Sequence, residues 1–442
     1  MGNKVLTSNS YSIKINILWL TFLLPLLFVS DIIYGGLVYY NIELTITPGV
    51  ILRGLVLLIS IYMLLKYSRL AGKCLLIWLL LIVFSVLPSI FVGIIHTSSL
   101  FFDISALSKV IYFPFTTALF VILLIRYRIE HDEVLRYIEY AAYVLGVALL
   151  VSQEVGIQRE TYGDYAFGST GIFYAQNDLT LAFGLSLLSA AYRVVLVRFS
   201  MARLFLLMLS VFALLQIGTR ASLAVVTGIV LTLLLLMVRG YSKKVLRGKG
   251  NLWIKWFLSI TIAIGLFSLL IYGVGKQQEH DFQQQKLEEI AEGISPRQPL
   301  IIAGALYIEE RSLLFDFTGE GMDIFQRGVA RYFTTDVERR FVEVDWLDIF
   351  GAYGIFFAIV IHLFVLSVLA GSSRRFLGRT REPVDGLIAA VTFLYLSHSI
   401  FAGHALTSPI PSTLMAAYFS IYFSKVMVGK KVLKRKVTVI DV

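Results

Sequence analysis

Polar side chains that fall inside long apolar runs are where chemistry is to be sought in this chain. Arg53, Lys109, Asn177, Asp178, Arg220 and His404 each lie within such a run or at its mouth. An ionised group facing hydrocarbon is costly, so it is a functional-site candidate by default. Each also has an ordinary reading. Arg53 and Lys109 can snorkel to lipid headgroups, Asn177 and Asp178 can cap or pair within a bundle, and His404 can be structural. What weighs against six separate ordinary readings is the shared position: all fall at the same end of their runs, leaving the opposite halves poor in such groups. Three cations on one face suit an anion, arginine through its planar fork of donors and lysine as a point charge. At that depth the anion expected is a lipid pyrophosphate, with its acyl chain in the bilayer and its headgroup at the interface.

The elements that must hold these residues follow from composition. Of 442 residues, 57% are hydrophobic and only 15% charged, well short of the charge needed to clothe a soluble surface. A soluble enzyme, a disordered chain, a nucleic-acid-binding domain and a fibrous repeat are excluded. The single cysteine, Cys74, excludes a disulfide framework and a thiolate zinc cluster. Twelve apolar spans are expected, at 15–36, 49–65, 74–95, 104–125, 134–152, 171–192, 202–217, 221–238, 253–273, 346–370, 386–404 and 411–428. Continuous apolar runs of this kind cross lipid as helices, so the fold class is an all-α polytopic membrane protein forming one transmembrane domain over 1–442. The first run has no small-residue cleavage site after it and is expected to be retained.

Lys and Arg set the orientation. The connections Lys66–Lys73, Arg126–Glu133, Arg193–Arg203, Arg239–Lys255 and Arg374–Arg381, with both termini, gather about two thirds of the basic residues on one side. That side is expected to be cytoplasmic, and the six polar residues to face outward. Residues 274–345 form one large external loop between the ninth and tenth spans. Within it, Leu300–Leu306 and Leu313–Phe317 are apolar but too short to span, and read as helices on the membrane surface or capping the bundle. The loop adds Arg311, Arg327, Arg331, Arg339 and Arg340 among Asp316, Asp323, Asp336, Glu338, Glu343 and Asp345. No phosphate-cradling glycine loop, His-rich zinc motif or Gly-x-Ser-x-Gly nucleophile is present, so neither a metal nor another cofactor is expected.

Four segments, in order, carry a resemblance. They are Gly171-Ile-Phe-Tyr-Ala-Gln-Asn177-Asp178-Leu; Ile217-Gly-Thr-Arg220-Ala-Ser-Leu; Arg311-Ser-Leu-Leu with Gly319-Glu-Gly321, closing on Glu343-Val-Asp345-Trp-Leu-Asp-Ile-Phe-Gly351-Ala-Tyr-Gly354; and Ala402-Gly-His404-Ala-Leu-Thr-Ser408-Pro. Together with one large late loop, they resemble the O-antigen polymerase and O-antigen ligase superfamily over about residues 40–425. The resemblance implies a GT-C-like, metal-independent glycosyltransferase of the bacterial inner membrane. Its substrates would be polyprenyl (undecaprenyl) pyrophosphate-linked saccharides met at the periplasmic face, with a chain-length regulator as a partner. It associates Arg220 and Arg311 with the pyrophosphate. Ligases of this superfamily carry a histidine at the end of the loop, where this chain has Glu343-Val-Asp345, and that departure favours a polymerase.

The chemistry expected is displacement of pyrophosphate by a sugar hydroxyl. Fixed cations stabilise the charge on the leaving phosphate, with Arg220 and Arg311 foremost and Arg53, Lys109, Arg327 and Arg331 in support. Asp345 or Glu343 serves as the general base, Asn177 and Asp178 line the site, and His404 orients the acceptor or the loop. Tyr162, Tyr165, Tyr307, Tyr332 and Trp346 are candidates to stack on sugars or to sit in the interfacial aromatic belt. The rival readings are a ligase transferring glycan to lipid A-core and, from another class, a lipid-linked oligosaccharide flippase. A flippase should carry cations along a central cavity rather than at one end.

Overall fold

The computed structural model describes residues 26–42, 44, 46–67, 87, 91, 100–157, 159–162, 167–173, 175–240, 297–332, 338–378 and 382–440. The expected spans at 74–95 and 253–273 and the first part of the large loop lie outside the described residues, apart from Leu87 and Phe91. The described chain is mostly helical. In chain order come α1 (Leu26–Tyr39), α2 (Pro48–Lys66), α3 (Leu100–Tyr127) and α4 (His131–Glu154). A hairpin of β1 (Arg159–Tyr162) and β2 (Phe167–Gly171) precedes α5 (Gln176–Tyr192), which widens into a π turn at Arg193–Val197. Then follow α6 (Met201–Gln216), α7 (Arg220–Gly240), α8 (Gln298–Glu310), α9 (Leu313–Thr318) and α10 (Met322–Ala330). The chain closes with α11 (Asp345–Leu377), α12 (Pro383–Phe401) and α13 (Pro409–Ile440).

By length and composition, six of these helices can cross a membrane: α2, α3, α4, α5 with its π turn, α11 and α12. Two differences from the all-α expectation have a local cause. The helix expected from 171 begins at Gln176, because Gly171 takes φ 55° and closes the antiparallel hairpin in place of opening a helix. The run expected to 404 stops at Phe401, since Gly403 and His404 both adopt left-handed backbone, φ 63° and 61°.

α11 is broken within its run. Gly354 has φ 78° and ψ 171°, which separates a short segment carrying Asp345 and Asp348 from the long apolar helix after it. A side chain there would meet the Phe317 carbonyl at 2.2 Å, so α9 packs backbone against backbone on the break. Leu313, Leu314 and Phe317 of α9 are exposed, and the Phe317 ring lies 5.9 Å from Phe356, exposed on α11. The apolar face of α9 thus continues the lipid-facing side of α11, as an interfacial helix does.

Among apolar helices in lipid, packing and interhelical hydrogen bonds hold the bundle. α13 lies along α3 and α5, α11 packs on α12, and α4 packs on α5 and α6. Phe113, Phe364, Tyr395 and Phe419 interlock where α3, α11, α12 and α13 meet. Tyr112 bonds Thr413 across α3 and α13 at 2.8 Å, and Tyr418 donates to the Leu185 carbonyl of α5 at 2.8 Å. Ser189 donates to the Leu135 carbonyl of α4 at 2.9 Å. At one end of the bundle α2, α3, α5, α7, α11 and α13 begin and α4 and α12 finish.

Candidate functional site

At that end the residues from different spans meet. Arg53 lies in the second turn of α2, which opens on Thr47-Pro48; its side chain is buried, 4% exposed, and Nε donates to the Gly49 carbonyl at 3.2 Å. Its charge faces Tyr112 and Asp178, and Lys109 of α3 faces both Arg53 and Asp178. Among the described residues, neither cation has a carboxylate within ion-pair distance. Asp178, in the first turn of α5 beside Asn177, accepts a hydrogen bond from Ser408 and faces His404, Lys109 and Asp345. Asp31 of α1 faces the same carboxylate. Two adjacent cations thus face one carboxylate without a closed ion pair to it.

The acid side of the cluster is built by the turn leading into α11. Asp348 accepts the Val342 and Glu343 amides at 3.0 and 3.1 Å, which folds that turn with Glu343 at φ 62°. Glu343 is ion-paired to Arg297 at 3.2 Å, and Arg297 also donates to the Phe401 carbonyl. Asp345 is 1% exposed: Oδ2 accepts Ser399 Oγ at 2.8 Å and the Leu406 amide at 3.0 Å, while Oδ1 has no hydrogen bond. Asp345 therefore clamps the segment between α12 and α13. The same segment presses on the turn, for a side chain on Gly403 would stand 2.4 Å from the Glu343 carbonyl oxygen. His404, next along, is half-buried with its ring edge-on to Phe341 at 5.1 Å between centroids.

The loop arginines are placed differently. Arg311 is buried, 2.9 Å from Asp316 and 3.4 Å from Glu320, with a hydrogen bond to the Gly351 carbonyl at 2.8 Å and its guanidinium over Phe350. Its donors hold α9 to α11. Burial raises the Glu320 carboxyl above the ordinary glutamate value, against the opposing pull of Arg311 and of Tyr307, which bonds it at 3.0 Å. Arg327 pairs with Asp323 at 3.1 Å and with Glu338 at 2.9 Å, and Arg339 pairs with Asp323 while lying over Phe102. Asp103 of α3 accepts the Asp323 amide at 2.8 Å and so docks α10 on the bundle. Arg331 caps α10 on the exposed side, beside Tyr307 and Tyr332. Arg220 opens α7 at the cluster's end of the bundle, after Thr219, whose hydroxyl accepts the Ser222 amide at 3.0 Å; the Arg220 side chain lies outside the described set.

Of the residues expected from sequence, Arg53, Lys109, Asp178, Asp345 and His404 come together, with Asn177 and Glu343 alongside. Arg311 and Arg327 form ion pairs within the loop instead. Asp31, Asp348 and Ser408 were not anticipated. Asp31 could have been found by the rule that found Arg53, a charge within an apolar run; Ser408 leaves no signal apart from its contact.

A family model described as "O-antigen ligase like membrane protein" matches residues 12–288. The chain belongs to this family. It is therefore a multi-pass membrane enzyme of the O-antigen pathway. No curated protein and no solved structure matches the chain. The matched stretch carries Arg53, Lys109, Asn177, Asp178 and Arg220, the cationic side of the cluster. Glu343, Asp345 and His404 come from beyond it, so the acid side is contributed by the part of the chain that the family model does not reach.

Proposed function

We propose that this family member is a polymerase that joins polyprenyl pyrophosphate-linked repeat units into O-antigen or a related surface polysaccharide. In this reading the chain has twelve spans, both termini face the cytoplasm of a bacterial inner membrane, and the cluster opens to the periplasm. The observation that carries it is the pair of neighbouring cations, Arg53 buried and Lys109 half-buried at the end of apolar helices, with no carboxylate in ion-pair contact among the described residues. A pyrophosphate seated there neutralises both, and its polyprenyl chain extends along the apolar helix faces. As the bond from the anomeric carbon to phosphate breaks, negative charge grows on the leaving oxygen, where preorganised cations stabilise it; losing one such group typically slows reaction about 10²–10³-fold. Arg220, opening α7 at the same end, is a third cation for this role. Arg311 supports the site by holding the loop, and Arg327 and Arg331 belong to its outer side. Asp345, Glu343 and His404 lie where the incoming hydroxyl must lose its proton. Because fixed side chains supply the positive charge, transfer is expected without a metal.

The family description favours a second reading, a ligase that places glycan on lipid A-core. Reconstituted protein given lipid-linked repeat units should yield a product ladder that EDTA leaves unchanged. A single transfer to lipid A-core without a ladder would make it a ligase. Export of intact lipid-linked units without any new glycosidic bond would make it a flippase.

A further inference from the structure

Three side chains near the cluster could take a proton from the acceptor, and their surroundings differ. Asp345 is sealed at 1% exposure, with one oxygen engaged by Ser399 and Leu406. Glu343 is engaged by Arg297. His404 is half-buried, and among the described residues its ring nitrogens make no hydrogen bond. Its backbone holds a left-handed φ of 61°, a conformation that is strained for a residue other than glycine and that recurs at functional sites. The Gly403 contact with Glu343 and the Asp345 bond to Leu406 keep it there. Charged and titratable groups face the ring from each element around it: Asp178 on α5, Asp345 and Asp348 on α11, and His398 on α12, itself near Arg297. Three acidic side chains from two helices therefore surround the ring.

We infer that His404 is the proton acceptor for the sugar hydroxyl, and that Asp345 is a positioning residue acting through it. The assignment rests on the transferase reading above. The hydroxyl gives its proton to an imidazole nitrogen while its oxygen bonds to the anomeric carbon. The bond from that carbon to the phosphate oxygen breaks, its electron pair leaves with the polyprenyl pyrophosphate, and the imidazolium then returns its proton to solvent. Asp178, which faces both Lys109 and His404, bridges the leaving-group side of the site and the acceptor side.

The test uses the full-length protein in liposomes with lipid-linked repeat units, and polyprenyl pyrophosphate as a competitor to report donor binding. His404→Gln should lower the transfer rate by ~10²-fold or more, the usual contribution of a general base, with competition by polyprenyl pyrophosphate unchanged. The rising limb of rate with pH should vanish in His404→Gln, and added imidazole should partly restore His404→Ala. Asp345→Asn should lower the transfer rate while leaving competition by polyprenyl pyrophosphate unchanged, and added imidazole should not restore it. A His404→Gln variant within threefold of the parent, or one that keeps the parent's pH limb, would overturn the assignment. If either His404 variant fails to insert, Asp345→Asn decides, and an unchanged transfer rate counts against the assignment. A parent protein that transfers nothing and ignores polyprenyl pyrophosphate would instead sink the transferase reading itself.

Discussion

The two ends of the helix bundle treat charge in opposite ways. At the end where α4 and α12 begin, buried charges have partners. Arg193 donates to Glu139 at 2.7 Å and also to Asp132, while Arg203 and Tyr143 approach the same Glu139. Lys425 bonds Glu382 and Asp385, and Arg375 reaches Asp385 at 3.3 Å. These networks tie α4 to α5 and α6, and α12 to α11 and α13. At the opposite end Arg53 and Lys109 share one carboxylate at a distance, and Asp345 keeps one oxygen without a hydrogen bond. A buried charge whose partner comes from the same fold serves the fold. One without such a partner is where the proposed pyrophosphate would sit.

Substitutions can break or sharpen that contrast. Arg193→Met removes the closest cation from Glu139, which is fully buried and keeps only Arg203 at 3.6 Å and the Tyr143 hydroxyl, and should destabilise the protein by about 3 kcal/mol in a thermal unfolding experiment in detergent. Replacing Glu139 as well should recover much of that loss. Arg53→Met strands no carboxylate, so its unfolding temperature should stay close to the parent's while transfer falls ~10²–10³-fold. Equal loss of stability in the two arginine variants would erase the contrast. Next comes Gly354→Ala, which meets both a left-handed backbone and the Phe317 carbonyl. It should cost at least about 1–3 kcal/mol and loosen α9, seen as faster proteolysis around Arg311.

The smallest expected effect is a pH dependence. The hydrogen bond from Lys425 holds the Glu382 carboxyl below the ordinary glutamate value. A depressed acid stabilises the fold above its unfolded pKa, and that contribution is lost as pH falls through the folded one. The effect should therefore be present at neutral pH and fade in the acid range below the ordinary glutamate value. Half of Glu382 is exposed, so it should amount to about 1 kcal/mol or less and weaken with salt. Glu382→Gln should abolish it, as read from unfolding temperature against pH.

Much of this protein is determined by its sequence alone. The cost of a charge or an unpaired amide in lipid belongs to each residue where it stands, so apolar runs announce helices and Arg53, Lys109, Asp178 and His404 announce themselves. The family resemblance is legible for the same reason, in short segments read one after another. Only the tertiary structure decides which charges find partners. Arg311 and Arg53 are both candidate pyrophosphate cations in sequence, yet one meets Asp316 and Glu320 and the other has no such ion pair among the described residues. Asp345 and Glu343 are two residues apart, yet one is sealed by Ser399 and Leu406 and the other is paired with Arg297. Pairing is set by contacts between residues far apart in the chain, as between Asp178 and Ser408, and a local pattern of hydropathy does not encode which of them will meet.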